Sequence, residues 1–321
     1  MTHATRILTT LAASLLVLGA APQAKAQAKK YTIAGIVFQE DQFMQTVLNG
    51  MKSVAEKNNV ELLTANTANQ ISKEVEVVNT YTARKVDAIC ITYLDPAAAS
   101  VPAVKAANDK GIKIVSFNNT LAADFPVATI QSNNGSLGAG SGKAAAEFIK
   151  AHLAGKKTIK VAIINYKAQL PPESNARQDG FWNEIKDIPG VTLVGEASSP
   201  VVDQAVKKAG DIITANPDLD IIFGCNDGGT KGAVLAVKNS GKKVAVFGID
   251  LDKQMVSFLQ SSDNILQAST AQDPFKIGAM SMEFAIKALK NEPVEKMVIV
   301  PGLTLSRSNP GAIAEFAKTV K

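Results

Sequence analysis

Two cysteines and two histidines in 321 residues leave this chain few groups for covalent, redox or metal chemistry. Past residue 26 only His152 remains, inside a helical pattern, and it reads as a helix-surface residue. A zinc cage needs several convergent ligands, and a nucleophilic site needs a base beside its nucleophile. No Gly-x-Ser-x-Gly elbow occurs either. Cys90 and Cys225 each lie within or at the end of an apolar run, in different halves of the chain. An even cysteine count invites a disulfide in an oxidising compartment, but a bridge demands Cα atoms within about 7 Å. The pair is expected to be two separate thiols acting as small buried hydrophobes. No cofactor is implied. Net charge is also low, at +5, and scattered, which is unlike the concentrated basic footprint of a nucleic-acid binder.

The first 26 residues read as a targeting element. Arg6 opens it, residues 7–21 are uncharged and mostly apolar, and Ala24-Lys25-Ala26 gives a small-x-small cleavage pattern. A transmembrane anchor is the alternative, but the apolar stretch is shorter than the roughly 20 residues a span needs. The expectation is a signal peptide cleaved near Ala26, an exported periplasmic product and a monomer without a lipid anchor. Loss of Arg6 and Lys25 would bring the charge to +3.

What is abundant is repetition. Val86-Asp87-Ala88-Ile89-Cys90-Ile91-Thr92 is an apolar run opening on an acid, and Leu219-Asp220-Ile221-Ile222-Phe223-Gly224-Cys225 repeats it. Around these, strand and helix patterns alternate: strands over 31–38, 60–64, 86–92, 112–117 and 127–131, then 158–165, 191–196, 220–225, 243–248, 265–270 and 297–300. Helices are expected over 72–84, 97–109, 175–187, 202–215, 229–239, 253–261 and 274–290, with another carrying Phe43, Val47, Met51 and Val54 at three- or four-residue spacings. Gly111 stands where a left-handed cap follows a helix. Such alternation predicts an α/β fold of two similar doubly wound parallel-sheet lobes.

In open parallel sheets, ligands bind beyond the carboxyl ends of the strands. Those ends carry Gln39-Glu40-Asp41, Tyr93, Asp95, Asn118-Asn119, Asn165, Asn226-Asp227 and Asp250. Amides donate and accept, and carboxylates accept, which suits a polyhydroxylated neutral ligand and suits an anion poorly.

Read in order, Phe43-Met44 with Gly50, Ser132-Asn133-Asn134, Arg177-Gln178-Asp179-Gly180-Phe181, Asn226-Asp227 with Gly232-Ala233, Gly248-Ile249-Asp250 and Gln272-Asp273-Pro274 resemble the ribose-type periplasmic sugar-binding proteins, solute receptors of bacterial ABC importers. The resemblance covers residues 31–300 and implies a type I periplasmic binding protein fold. It places lobe one at 31–131 plus 274–298, lobe two at 134–270 plus 302–321, and hinge crossings near 132, 271 and 301. It implies that Phe43 packs on a sugar ring, and that Asp41 stands where the family often has Asn. Asn118 and Asn119 replace a common Asp-Arg pair. Arg177, or Asn175 two residues earlier, contacts ligand, and Asn226, Asp250 and Gln272 bind hydroxyls. Met44 replaces a second aromatic, and Val202 falls near another aromatic position. Fewer rings weaken stacking on a pyranose face, and loss of the Asp-Arg pair removes a charge-assisted bond. These departures favour a pentose, a furanose or a linear polyol. The implied partners are the permease and ATPase subunits of an importer; a chemoreceptor or a signalling molecule is the alternative within the same fold.

Two decoys fall away. Gly135 to Lys143 looks like a phosphate loop, but Leu137 stands where its first glycine belongs and Ala144 replaces the Ser or Thr. A helix start whose Gly138 and Gly142 allow close packing fits better. A glycosidase would require a carboxylate pair such as Asp227 and Asp250, and these read more simply as hydroxyl acceptors. A sugar-responsive repressor needs a helix-turn-helix ahead of the first strand, where the export signal stands instead.

Overall fold

A computed structural model describes Met1 and residues 30–319. The expected signal peptide lies outside these described residues. From Tyr31 the chain forms two six-stranded α/β lobes.

Lobe one opens with β1 (Thr32–Val37), α1 (Gln42–Lys57), β2 (Glu61–Asn66), α2 (Ile71–Ala83), β3 (Ala88–Ile91), α3 (Val101–Asp109), β4 (Lys113–Phe117) and β5 (Ala128–Gln131). Lobe two follows with α4 (Asn134–His152), β6 (Ile159–Asn165), α5 (Pro171–Ile185), β7 (Val191–Ser198), α6 (Val202–Ala215), β8 (Ile221–Gly224), α7 (Asp227–Ser240), β9 (Ala245–Ile249), α8 (Lys253–Gln260) and β10 (Leu266–Ala271). The chain then returns through α9 (Pro274–Leu289) to β11 (Met297–Ile299) in the first sheet, and ends with β12 (Leu303–Ser306) and α10 (Pro310–Ala317) in the second.

The acid that opens each repeated run has the same role in both lobes. Asp87 Oδ2 accepts from the Thr32 amide at 2.9 Å, and Asp220 Oδ2 accepts from the Lys160 amide at 2.9 Å. Each carboxylate thus satisfies a donor at the entry of the neighbouring strand, which explains why an apolar run begins with a charge. Central strands such as β1 and β6 are buried on both faces over their apolar stretches, residues 33–37 and 161–164.

The sheets are covered by helices that meet through glycine. A Cβ on Gly278 of α9 would lie 1.9 Å from the Val47 carbonyl oxygen of α1. One on Gly138 of α4 would lie 1.9 Å from the Arg177 carbonyl oxygen of α5, and one on Gly180 would lie 2.2 Å from that of Gly135. The glycine-rich stretch is therefore helix interior, and Gly138 and Gly142 do face α5. Both helices that follow a change of sheet are capped: Asn133 Oδ1 accepts from the Ser136 amide and Asp273 Oδ1 from the Lys276 amide, each at 2.9 Å.

Several boundaries move. Helix α5 starts at Pro171, not at residue 175, because Pro171 and Pro172 occupy first-turn positions where the missing N–H is harmless. Helix α3 starts at Val101, after a turn over 96–100. Helix α7 starts at Asp227, capped by Asn226. Strand β12 and helix α10 were not anticipated. Gly111 is left-handed at φ +89°, Cys90 and Cys225 are buried free thiols, and His152 closes α4 as an exposed residue.

Candidate functional site

The polar residues expected at the site come from loops that follow strand ends, from the start of α1 and from the second turn of α5. In lobe two they form a connected network. Asp250 follows β9 in a left-handed conformation, φ +71°. Its Oδ1 accepts from Gln272 Nε2 at 2.7 Å and its Oδ2 from the Asp227 amide at 3.2 Å. Arg177 Nη1 stands 4.0 Å from Asp250 Oδ2. Arg177 is 5% exposed. Its Nε donates to Asn134 Oδ1 at 2.8 Å, its Nη1 to the Cys225 carbonyl at 3.1 Å, and its guanidinium lies 5.4 Å from the centre of the Tyr166 ring. Burial pushes the Asp250 carboxyl up to about 6; Asp227 and Asp41 add to the rise, while Arg177 and Gln272 oppose it.

Lobe one contributes Asp41 as the cap of α1. Its Oδ1 accepts from the Met44 amide at 2.7 Å and its Oδ2 from Gln39 Nε2. Burial raises its carboxyl above the ordinary range, and the charge of Asp227 on the other lobe raises it further. Asn118 is half-buried in a left-handed conformation, φ +66°, and its side chain has no partner among the described residues. Phe43 is half-buried on the first turn of α1 beside Asp41 and packs against the core.

Three expected contacts are occupied elsewhere. Asn119 is fully buried: its Oδ1 accepts from the Tyr93 amide at 3.1 Å and from Thr92 Oγ1 at 3.2 Å, and its Nδ2 donates to the Tyr93 carbonyl at 2.8 Å. It pins the loop after β3. Asn226 caps α7 through the Gly229 amide at 2.9 Å and ties Nδ2 to the Pro200 carbonyl at 2.8 Å. Met44 is 2% exposed in the core of lobe one. Asn175 sits exposed on the second turn of α5.

Asp227, read from the sequence as a hydroxyl acceptor, lies near enough to Asp41 and Asp250 for its charge to raise both carboxyls. The structure also adds residues that sequence reading did not select. Lys231, one turn further on, bonds Asp252 Oδ2 at 2.5 Å and lies 3.4 Å from Asp227 Oδ2. Tyr166 directly follows Asn165, and its hydroxyl has no partner among the described residues. Gln169 bridges the lobes: its Nε2 donates to Gln39 Oε1 at 2.9 Å and to Asn69 Oδ1 at 2.5 Å. It lies in a loop, where no periodicity marks it.

Two α/β lobes whose strand-end loops carry amides, carboxylates and a braced arginine define a candidate site for a polar solute. The chain belongs to the family described as "Periplasmic binding protein domain", whose profile matches residues 19–293. Its two-lobed fold is that of the type I periplasmic binding proteins, and it resembles the ribose-type sugar-binding members. The ABC transporter periplasmic-binding protein YphF of Escherichia coli K12 is 30% identical, over 88% of each chain. The ribose import binding protein RbsB of Bacillus subtilis 168 is 26% identical, over 88% of this chain and 89% of its own. An ABC transporter solute binding protein from Agrobacterium vitis, solved with D-fucose, superposes with a TM-score of 0.78 at 28% identity, over 90% of this chain and 99% of its own. The family places such proteins in the periplasm.

Proposed function

We propose that this protein captures a small neutral sugar or sugar alcohol, with a pentose, a furanose or a linear polyol favoured, by closing its lobes, and hands it to the permease and ATPase of an ABC importer. The single observation that carries this is the Asp250 network: buried acceptors and donors, already bonded to one another, that converge with Asp41 of the other lobe. The ligand contacts are assigned to Asp41, Phe43, Asn118, Asn175, Arg177, Asp250 and Gln272. Asn119, Asn226 and Met44 hold the loops that carry them. The crossings near residues 132, 271 and 301 act as the hinge. The sugars named for the relatives support the ligand class, and the scarcity of rings beyond Phe43 supports a ligand that does not depend on stacking.

No covalent step is needed. A buried donor or acceptor left unpaired costs about 1–3 kcal/mol, so two mismatched hydroxyls would remove most of the roughly 8 kcal/mol of a micromolar site. That is sufficient to separate epimers. A thermal-shift panel of pentoses, hexoses and C4–C6 polyols tests the reading. At a hundredfold excess over Kd the ligand should add about 2.7 kcal/mol, a rise of several degrees at about 2–4 °C per kcal/mol. A protein that ignores the whole panel, or binds ribose tighter than every polyol and other pentose, would defeat it.

A further inference from the structure

Three side-chain amides meet where the lobes touch. Gln39 follows β1 in lobe one, Asn69 stands in the turn between β2 and α2, and Gln169 lies in the loop between β6 and α5 of lobe two. Gln169 Nε2 donates to Gln39 Oε1 at 2.9 Å and to Asn69 Oδ1 at 2.5 Å, and Asn69 Nδ2 reaches Gln39 Oε1 at 3.5 Å. The turn that places Asn69 is tied to the chain just before Gln39. The Thr67 and Asn69 amides donate to the carbonyls of Val37 and Phe38, at 2.9 and 2.7 Å. Ala68 and Asn69 are both left-handed there, at φ +50° and +58°, a conformation that alanine adopts only under constraint.

One group sets the direction of all three amides. Gln39 Nε2 donates to Asp41 Oδ2. An ionised carboxylate only accepts, so Gln39 must turn its NH2 to Asp41 and its carbonyl oxygen to lobe two. Gln169 must then answer with its own NH2. The other Asp41 oxygen, Oδ1, accepts from the Met44 amide at 2.7 Å. With both oxygens held, the carboxylate plane is fixed, and each oxygen keeps a lone pair for a ligand hydroxyl. When lobe two swings away, Gln39 Oε1 loses its 2.9 Å bond and keeps only the 3.5 Å bond from Asn69, so the hold on Asp41 Oδ2 slackens.

We propose that Gln39 is a positioning residue that links lobe closure to the orientation of Asp41: contact with Gln169 locks its amide, and the locked amide holds the Asp41 carboxylate ready for a ligand hydroxyl. This rests on the reading of Asp41 as a ligand contact. Such coupling is reciprocal, so a ligand seated on Asp41 favours the closed lobes by the same factor by which closure favours the ligand.

Calorimetric titration of xylitol, D-arabinose and D-ribose into single and double variants tests it, together with NMR of the Gln39 side-chain amide in the ligand-free proteins. Gln169→Ala should weaken each probe that binds about fivefold in the wild-type background and about twofold beside Gln39→Leu, where only the bond to Asn69 is left to lose. Gln169→Glu offers Gln39 an acceptor, which turns the Gln39 amide about and sets its oxygen against Asp41. It should cost more than Gln169→Ala in the wild-type background and the same beside Gln39→Leu. Without ligand, the Gln39 Nε2 proton bonded to Asp41 should be protected from exchange in the wild type and lose that protection in Gln169→Ala. Losses from the Gln169 variants that Gln39→Leu leaves unchanged would overturn the proposal, because the contact would then be a latch with no tie to Asp41. Binding by Gln39→Leu as tight as that of the wild type would overturn it too. If no probe binds, the capture reading fails and the amide proton decides alone: equal protection with and without Gln169 overturns the link, and lost protection sustains it.

Discussion

Lobe one orders its strands β11-β5-β4-β3-β1-β2 and lobe two β12-β10-β9-β8-β6-β7, so every strand of one sheet has a counterpart in the other. The last pair differs in direction: β11 runs parallel to β5, whereas β12 runs antiparallel to β10. The scaffolds share an acid at the strand entry and a glycine-mediated pair of helices. Their site-facing ends diverge. In lobe two, Asp250, Gln272, Asp227, Arg177 and Asn134 form one hydrogen-bonded and ionic net, which fixes the side chains before a ligand arrives. In lobe one, Asn119 is locked and Asn118, its neighbour, is free. A preorganised half and a half with spare bonding capacity is an economical arrangement for closure: one lobe sets the geometry and the other answers to the ligand.

The sharpest test of the shared scaffold is steric. Gly278→Ala and Gly138→Ala each drive a methyl group against a backbone oxygen at 1.9 Å, which helices can relieve only by moving apart. Each should lose about 3 kcal/mol of stability, at the upper end of ordinary overpacking. Urea unfolding with unchanged slope would register it. If one variant is destabilised and the other is neutral, the lobes do not share this helix contact in energetic terms.

Next in size is the contrast between adjacent asparagines. Asn119→Ala strips partners from the Tyr93 amide and carbonyl and should cost about 2 kcal/mol of stability. Asn118→Gly keeps the left-handed backbone and should leave stability nearly unchanged while weakening ligand binding severalfold. Stability and binding effects that fall on the same residue would remove the distinction drawn between them.

Asp250→Asn addresses the preorganised half. The substitution preserves shape and tolerates the positive φ, and binding should weaken about tenfold, or about 1.4 kcal/mol. Stability should respond to pH as well. The carboxyl titrates near 3.8 when unfolded and near 6 when folded, so folding binds a proton. Its favourable contribution is complete below pH 3.8 and is lost as pH rises through 6. Thermal melts between pH 4 and 7 should show a shallower decline in the variant than in the wild type.

These contrasts also show what was legible in the chain. Alternation of apolar runs with helical spacings fixed the two-lobed α/β class because strands buried on both faces must be continuously apolar. Short strands such as β12, with only four residues and an exposed Leu303, carry no such signal. Helix starts shifted wherever proline or a capping side chain, rather than hydrophobic periodicity, determined them, as at Pro171 and Asn226. Polar residues at strand ends were visible as a set, but Asn118 and Asn119 look alike in sequence. Only three-dimensional placement shows which amide is already bonded. Asp227 was in view and Gln169 was not, because a loop residue acquires its role from a partner more than a hundred positions away.

Gln169 gives the smallest and most general test of the comparison. Its amide donates from lobe two to Gln39 and Asn69 of lobe one, so it joins the halves without belonging to the Asp250 net. Partly exposed neutral hydrogen bonds contribute about 0.5–1.5 kcal/mol each, and these two exist only when the lobes are near each other. Gln169→Ala should therefore favour the open form and weaken every ligand by the same factor, about fivefold when each bond contributes the lower of these figures, since a ligand that binds the closed state is penalised by the lost closed population. Asp41→Asn, in contrast, should change the ranking of ligands rather than shift them together. Titration of three or more ligands against both variants separates the two effects. A ligand-dependent loss in Gln169→Ala would mean that Gln169 reads the ligand itself, and that lobe two's contribution extends beyond its preorganised net.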